Sequence, residues 1–284
     1  MKCFHHNDLD GRCAGAIVAY YESNFNENDF FEVDYVQELP IDKIEKYERV
    51  YFVDYSFKKD TVWQLNKILE KTNDIIWIDH HLSSFELEKE FPWVQNIKGL
   101  RKNNISGAGL TYMYLYDCEY EDIPYYIKLV SDYDCWLYYY DPDTTYFKIG
   151  IDVYDCSPMS YIWKGLNYSN DFLQKIIDNG GIIKQYIDKT NEDYRNKFAY
   201  ETKINGLKCL VVNQKTNSWI FGEKFDEYPI VMVWVFNGEK FIYSIFSDKD
   251  GVDCREIAEM YGGGGHKGAA GFMSDELLFH KKNF

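Results

Sequence analysis

Two short apolar runs that each end on acidic side chains constrain this chain most. Arg49-Val50-Tyr51-Phe52-Val53 stops on Asp54, and Asp74-Ile75-Ile76-Trp77-Ile78 stops on Asp79-His80-His81. Runs of this length and character read as buried strands. A third strand, Lys2 to His5, leads into His6-Asn7-Asp8-Leu9-Asp10-Gly11. In open parallel sheets, ligands collect beyond the carboxyl ends of the strands, where these polar residues fall.

The segments between the strands carry helix signals. Arg12 to Glu22 opens with small residues, Lys59 to Lys71 places Val62, Leu65, Ile68 and Leu69 at helical spacing, and Ser106 caps a helix to Tyr116. Phe30 to Tyr35 reads as a further strand, and Pro124 to Val130 as a helix followed by Ser131-Asp132-Tyr133-Asp134-Cys135-Trp136. Alternating strands and helices predict an α/β domain with a parallel sheet. Near Asp171 to Lys197 the pattern becomes a long polar helix, interrupted by Gly180-Gly181 and read as a connection between domains. Strands follow at Leu207 to Val212, Ile230 to Phe236 and Lys240 to Phe246, with Asn237-Gly238 as a hairpin turn. A helix over Arg255 to Tyr261 then meets Gly262-Gly263-Gly264-Gly265-His266-Lys267-Gly268-Ala269-Ala270-Gly271.

Composition narrows the partners. Forty-six acidic against 31 basic residues give a net charge of −15. Phosphate contacts by Lys and Arg supply most affinity for long nucleic acid, so this balance speaks against duplex or long single strands and leaves small phosphorylated substrates open. The seven cysteines form no C-x-x-C pair and read as reduced thiols. No basic stretch precedes an apolar segment at the start, and no apolar run approaches a membrane span. The expectation is a soluble, cytoplasmic protein without membrane partners, its oligomeric state open and a homodimer among the choices. Aromatic residues make up 18% of the chain, which packing and base stacking explain alike.

In H-x-D-x-D, alternate residues of an extended segment point the same way, so His6, Asp8 and Asp10 can converge on metal ions. Equally, Asp8 can cap the following helix. Asp54 alone could be a cap too. Asp79-His80-His81 carries more weight, because buried polar groups need partners. One arrangement satisfies the ligand count for two divalent ions. Asp54 bridges them, His6 and Asp8 complete the first, and Asp10, His80 and Asp132 complete the second, with Asp134 competing for the last place. His81 is then left for catalysis as acid or charge stabiliser, oriented by Asp79. The glycine run is a separate signal. Backbone N–H groups of Gly263, Gly264 and Gly265, with His266 and Lys267, could hold an anion ahead of a helix beginning at Ala269-Ala270, or form a plain flexible loop.

The set H-N-D-L-D-G, strand-terminal Asp54, I-D-H-H, S-D-Y-D-C-W and G-G-G-G-H-K-G-A-A-G-F resembles the DHH phosphoesterase superfamily with its DHH-associated C-terminal domain. The resemblance spans nearly the whole chain and leans toward the oligoribonuclease (nanoRNase) branch. It implies a metal-binding catalytic domain at 1–168, a helical linker at 169–198 and a smaller α/β substrate-binding domain at 199–284, with helices on both faces of the first sheet and the active site in the cleft between domains. It implies His6, Asp8, Asp10, Asp54, His80 and Asp132 as ligands, foremost of Mn²⁺ with Mg²⁺ or Co²⁺ as alternatives, His81 as catalytic, and Gly262 to Gly271 with His266 as a substrate grip. The implied activity is hydrolysis of short oligoribonucleotides from the 3′ end to mononucleotides. Other members act on cyclic dinucleotides, 3′-phosphoadenosine 5′-phosphate or polyphosphate, and a silent nucleotide-binding protein is a further reading. One departure stands out. Ser244-Ile245-Phe246-Ser247 carries Phe246 where related proteins often place a phosphate-binding Arg, and stacking of Phe246 on a base is one compensation.

Overall fold

The computed structural model describes residues 1–23, 25–35 and 37–281, which divide into two compact units, Met1–Ile183 and Lys184–Phe284. In the first unit β1 (Lys2–His6), β2 (Phe30–Val33), β3 (Val50–Val53) and β4 (Ile75–Ile78) form a parallel sheet in the order β2-β1-β3-β4. Phe4 pairs in register with Phe31 on one side and Phe52 on the other, and Val53 pairs with Ile78. Successive side chains leave a strand on opposite faces, so a run that is apolar throughout must be covered twice.

Both coverings are present. Around the sheet lie α1 (Leu9–Tyr21), α2 (Val62–Leu69), α3 (Leu82–Glu90), α4 (Gly107–Tyr116), α5 (Tyr125–Asp134), α6 (Asp143–Ile151), α7 (Tyr161–Tyr168) and α8 (Asn170–Phe198). Cys3, Tyr51, Val53, Ile76 and Ile78 pack with side chains of α1, α4 and α5. Their alternates Phe4, Val50, Phe52, Ile75 and Trp77 pack with Leu65 and Ile68 of α2 and Leu87 of α3. Phe4, Phe52 and Trp77 are fully buried, and each such burial contributes about 1.5–3 kcal/mol. Strand order reverses between β1 and β3, which makes their carboxyl ends the switch point of the sheet.

The expected break at Gly180-Gly181 is absent. α8 runs unbroken for 29 residues, and the boundary between the units falls inside it. Its glycines serve helix packing instead. A Cβ on Gly180 would lie 1.7 Å from the Tyr146 carbonyl oxygen, and one on Gly150 would lie 2.1 Å from that of Ile176. α5 also extends past Val130 to Asp134, so S-D-Y-D is its last turn rather than a loop.

The second unit holds a six-stranded sheet built from β5 (Tyr200–Ile204), β6 (Leu207–Asn213), β7 (Ile230–Phe236), β8 (Phe241–Phe246), β9 (Gly264–Gly265) and β10 (Ala269–Ser274), in the order β5-β6-β7-β8-β10-β9. The turn at Asn237-Gly238 joins β7 to β8 as expected, with Gly238 at φ 100°. α9 (Cys254–Glu259) places Ile257 and Ala258 against Met232, Tyr243 and Ile245 on one face. Leu210, Val212, Phe221 and Val233 fill the other. Ala269-Ala270 does not begin a helix: it opens β10, paired antiparallel with β8. Backbone pairing outweighs the intrinsic helix preference of alanine here. None of the described helices is long and apolar enough to cross a membrane.

Candidate active site

The carboxyl ends of β1, β3 and β4 deliver His6, Asp54 and Asp79 to one place. Asp8 divides its work. One carboxylate oxygen caps α1 by accepting the Gly11 N–H at 2.9 Å, and the other lies 2.7 Å from His6 Nδ1. The cap is present, and the same side chain stays beside His6. Gly11 is needed at this turn, because a Cβ there would meet the His6 carbonyl oxygen at 2.4 Å. His5, next to His6 in the strand, is buried with its ring toward Gly15 of α1, and it is His6 that faces Asp8 and Asp54.

Asp54 lies at the centre. Its backbone sits in the left-handed region at φ 55° and its side chain is 1% exposed. α4 begins immediately beside it: a Cβ on Gly107 would fall 2.5 Å from the Asp54 Cβ. Asp54 Oδ2 lies 3.8 Å from His6 Nδ1, while Oδ1 lies 3.2 Å from His80 Nε2 and 3.9 Å from His81 Nδ1. Three donor groups follow, His6–Asp8–Asp54, Asp54–His80–His81 and His80–Asp134–Cys135, each with ligand atoms within 4.8 Å of one another. Asp54 and His80 link them into a chain. Asp79 fixes His81, its Oδ1 lying 2.7 Å from the imidazole Nδ1 and accepting the His80 N–H at 2.9 Å.

Asp10 stands next to this set from inside α1. Its two oxygens accept the N–H groups of Gly107 and Ala108, at 2.6 and 3.0 Å, at the start of α4. Asp132 lies elsewhere. It is fully buried and accepts the N–H groups of Tyr139 and Tyr140 and the Thr144 hydroxyl. Two helical positions differ by about 200°, so Asp134 points where Asp132 cannot. Asp134 Oδ2 reaches to 3.2 Å from His80 Nε2. Of the two acids in S-D-Y-D, Asp134 rather than Asp132 lies beside His80, because α5 continues through Asp134. The placement of Gly107, Cys135 and Tyr35 around the cluster carried no legible motif beyond the small residues of S-G-A-G.

The electrostatics are those of crowded anions. Burial, then the charges of Asp10, Asp8 and Asp134, push the Asp54 carboxyl well above the usual carboxylate range. Asp10 is also raised by burial, although His80 opposes this. Asp134 is pushed up to about 8 by burial, then by Asp10 and Asp8. At Asp8 burial is outweighed by His6 and the Gly11 N–H, which hold its carboxyl down at about 2. Two buried oxygens of this cluster, Asp54 Oδ1 and Asp79 Oδ2, have no hydrogen-bond partner among the described residues. Mutually repelling carboxylates, imidazole nitrogens and an orphaned central oxygen are the donor set that divalent cations fit.

In the second unit, Gly263, Gly264, Gly265, His266 and Lys267 lie between α9 and β10 rather than ahead of a helix. The His266 N–H donates to the Ala269 carbonyl oxygen at 2.8 Å, closing a tight turn that leaves the His266 and Lys267 side chains exposed. Phe246 packs against Leu210, Phe221 and Val231. Lys249 is engaged by Asp226 and Asp248.

No family model matches the chain. Two curated relatives do. The uncharacterized protein R106 of Acanthamoeba polyphaga mimivirus is 27% identical over 252 residues, covering 81% of this chain and 54% of that protein. The oligoribonuclease NrnB of Bacillus subtilis is 22% identical over 296 residues, covering 96% and 73%. The chain thus spans about half the length of the viral relative. Among solved structures, the pGpG-specific phosphodiesterase PggH from Vibrio cholerae superposes with a TM-score of 0.62 at 12% identity, covering 96% of this chain and 93% of that one. The DHH domain of a member of the s1p family of ribosomal proteins gives 0.57 at 13%, covering 95% and 81%. The chain shares the fold of these structures, one of them a DHH domain. Within the DHH fold, I-D-H-H is the segment in which Asp79 positions His81 while His80 faces Asp54 and Asp134.

Proposed function

We propose that this chain is a phosphoesterase that uses two divalent ions, Mn²⁺ foremost, to hydrolyse short oligonucleotides, dinucleotides included, to mononucleotides. One observation carries the reading: Asp54, buried and underbonded, stands between the His6–Asp8 pair and the His80–Asp134 pair. Asp54 would be shared by both ions, with His6 and Asp8 on one side and His80 and Asp134 on the other. Asp10 backs the second position while anchoring α4. When bound, the ions supply a water nucleophile at neutral pH and charge stabilisation at phosphorus.

The chain's own groups do the rest. Burial draws the His81 imidazolium down, but the hydrogen bond and charge of Asp79 more than offset it, so its affinity for a proton is raised. With Nδ1 held by Asp79, the Nε2 side is left to donate toward a leaving oxygen. In the second unit, His266 and Lys267 are the proposed phosphate-binding donors. The names of the B. subtilis and V. cholerae relatives support a short nucleotide substrate, and a charge of −15 disfavours long polymers.

The test is to incubate the protein and Mn²⁺ with an end-labelled RNA pentamer, a dinucleotide and a long single strand. Mononucleotides are expected from the first two and little product from the third. Protein that binds Mn²⁺ yet releases no mononucleotide from either short substrate overturns the reading.

A further inference from the structure

Tyr35, just beyond β2, is an aromatic ring held in place yet 39% exposed. It stacks on Tyr55 at 5.3 Å with 18° between the planes, and its hydroxyl oxygen accepts the Ser56 N–H at 3.2 Å. Its ring centre stands 5.4 Å from that of His6 and 6.3 Å from that of His81. The ring therefore forms a wall of the candidate site rather than a scattered surface aromatic.

Lys58 lies over this ring, its Nζ 4.3 Å from the centroid. No carboxylate pairs with Lys58 among the described residues, in a chain where acid exceeds base and the neighbouring cluster is rich in carboxylates. Lys58 also lines, with Ser83 and Leu87, a groove of about 630 Å³. The groove adjoins the site, because Ser83, two residues beyond His81, bonds its hydroxyl to that of Ser56 at 2.7 Å. That volume suits a nucleoside. Its remaining lining includes Asp60, Glu86 and Glu90, the last paired with Lys59, and this acidic margin repels a chain of phosphates.

We infer that Tyr35 and Lys58 form a nucleoside-recognition wall: the ring takes the base or ribose next to the scissile phosphate, and the Lys58 ammonium leaves the ring to meet that phosphate. The inference rests on the phosphodiesterase reading and narrows it, since polyphosphate and pyrophosphate offer no ring for Tyr35. Aromatic stacking on a base is sequence-tolerant, so the wall selects nucleotides without selecting among bases.

Calorimetric titration of the Mn²⁺-loaded protein with AMP and, separately, with inorganic phosphate tests it. Tyr35→Ala should weaken AMP roughly tenfold and leave phosphate unchanged, Tyr35→Phe should restore AMP binding, and Lys58→Gln should weaken both ligands with Lys58→Arg recovering them. Tyr35→Ala weakening both ligands equally, or neither, overturns the wall while leaving the phosphodiesterase reading intact. Manganese-loaded wild-type protein that binds neither ligand and cleaves no dinucleotide overturns both.

Discussion

Oδ1 of Asp54 stands 3.2 Å from Nε2 of His80 and accepts no hydrogen bond from the described residues, although Asp54 is almost wholly buried. A buried polar atom without a partner costs about 1–3 kcal/mol, and more when it carries charge. The surrounding carboxylates of Asp8, Asp10 and Asp134 increase that cost by repulsion. A cation at this point offsets both.

Asp54→Asn should therefore separate metal binding from folding. Asparagine tolerates the left-handed backbone at φ 55°, and it is neutral without having to take up a proton. The metal-free variant is expected to melt above metal-free wild type. Wild type in Mn²⁺ at a hundred times its Kd should gain about 2.7 kcal/mol, and the variant none. Thermal denaturation with Mn²⁺ and with EDTA measures both quantities.

The raised acids set a pH dependence for the metal-free protein. Asp134 titrates at about 8 when folded against an ordinary value of 3.8, so the native state binds more protons than the unfolded state between these limits. Stability should then fall as pH rises from about 4 to 8. Asp54 and Asp10, raised in the same direction, add to the slope. Manganese affinity should run the opposite way and grow with pH, because ions displace those protons. Urea denaturation in EDTA at pH 5 and pH 8.5 checks the sign, with higher stability expected at pH 5.

Asp132 and Asp134 should fail differently. Asp134→Asn is expected to lower Mn²⁺ affinity at least tenfold with little change in metal-free stability. Asp132→Asn should leave a folded protein weakened by about 1.5–3 kcal/mol, because charge-assisted bonds to Tyr139, Tyr140 and Thr144 are lost. Measuring Mn²⁺ affinity and denaturation midpoint for each variant distinguishes the two roles.

These contrasts show where the amino-acid order was legible. Asp54 and Asp79 stood out because a strand buried on both faces has to end before such residues can be placed. Asp132 and Asp134 could not be told apart, since S-D-Y-D-C-W reads equally as a loop or as a last helical turn, and only the helix rotates one acid away. α6 was hidden for a related reason: with Thr144, Phe147, Ile149 and Ile151 all buried, no single apolar stripe marks it. Gly180-Gly181 looked like an interruption because close approach to Tyr146 is a tertiary fact. Ala269-Ala270 suggested a helix because strand pairing with β8 leaves no local trace.

The close contact at Gly180 gives a stability prediction. Gly180→Ala puts a methyl against the Tyr146 carbonyl and should destabilise the first unit by about 1–3 kcal/mol, although alanine is the better helix former. A lowered urea midpoint is the expected result. An unchanged or raised midpoint would mean that α6 and α8 separate without cost.

The most direct test of the whole account is a count of bound ions with their positions, from anomalous scattering of crystals grown with Mn²⁺ and elemental analysis of the same protein. Two manganese ions are expected, one on each side of the Asp54 carboxylate, the first against His6 and Asp8 and the second against His80 and Asp134. A single ion, ions that avoid Asp54, or none at saturating Mn²⁺ would contradict it.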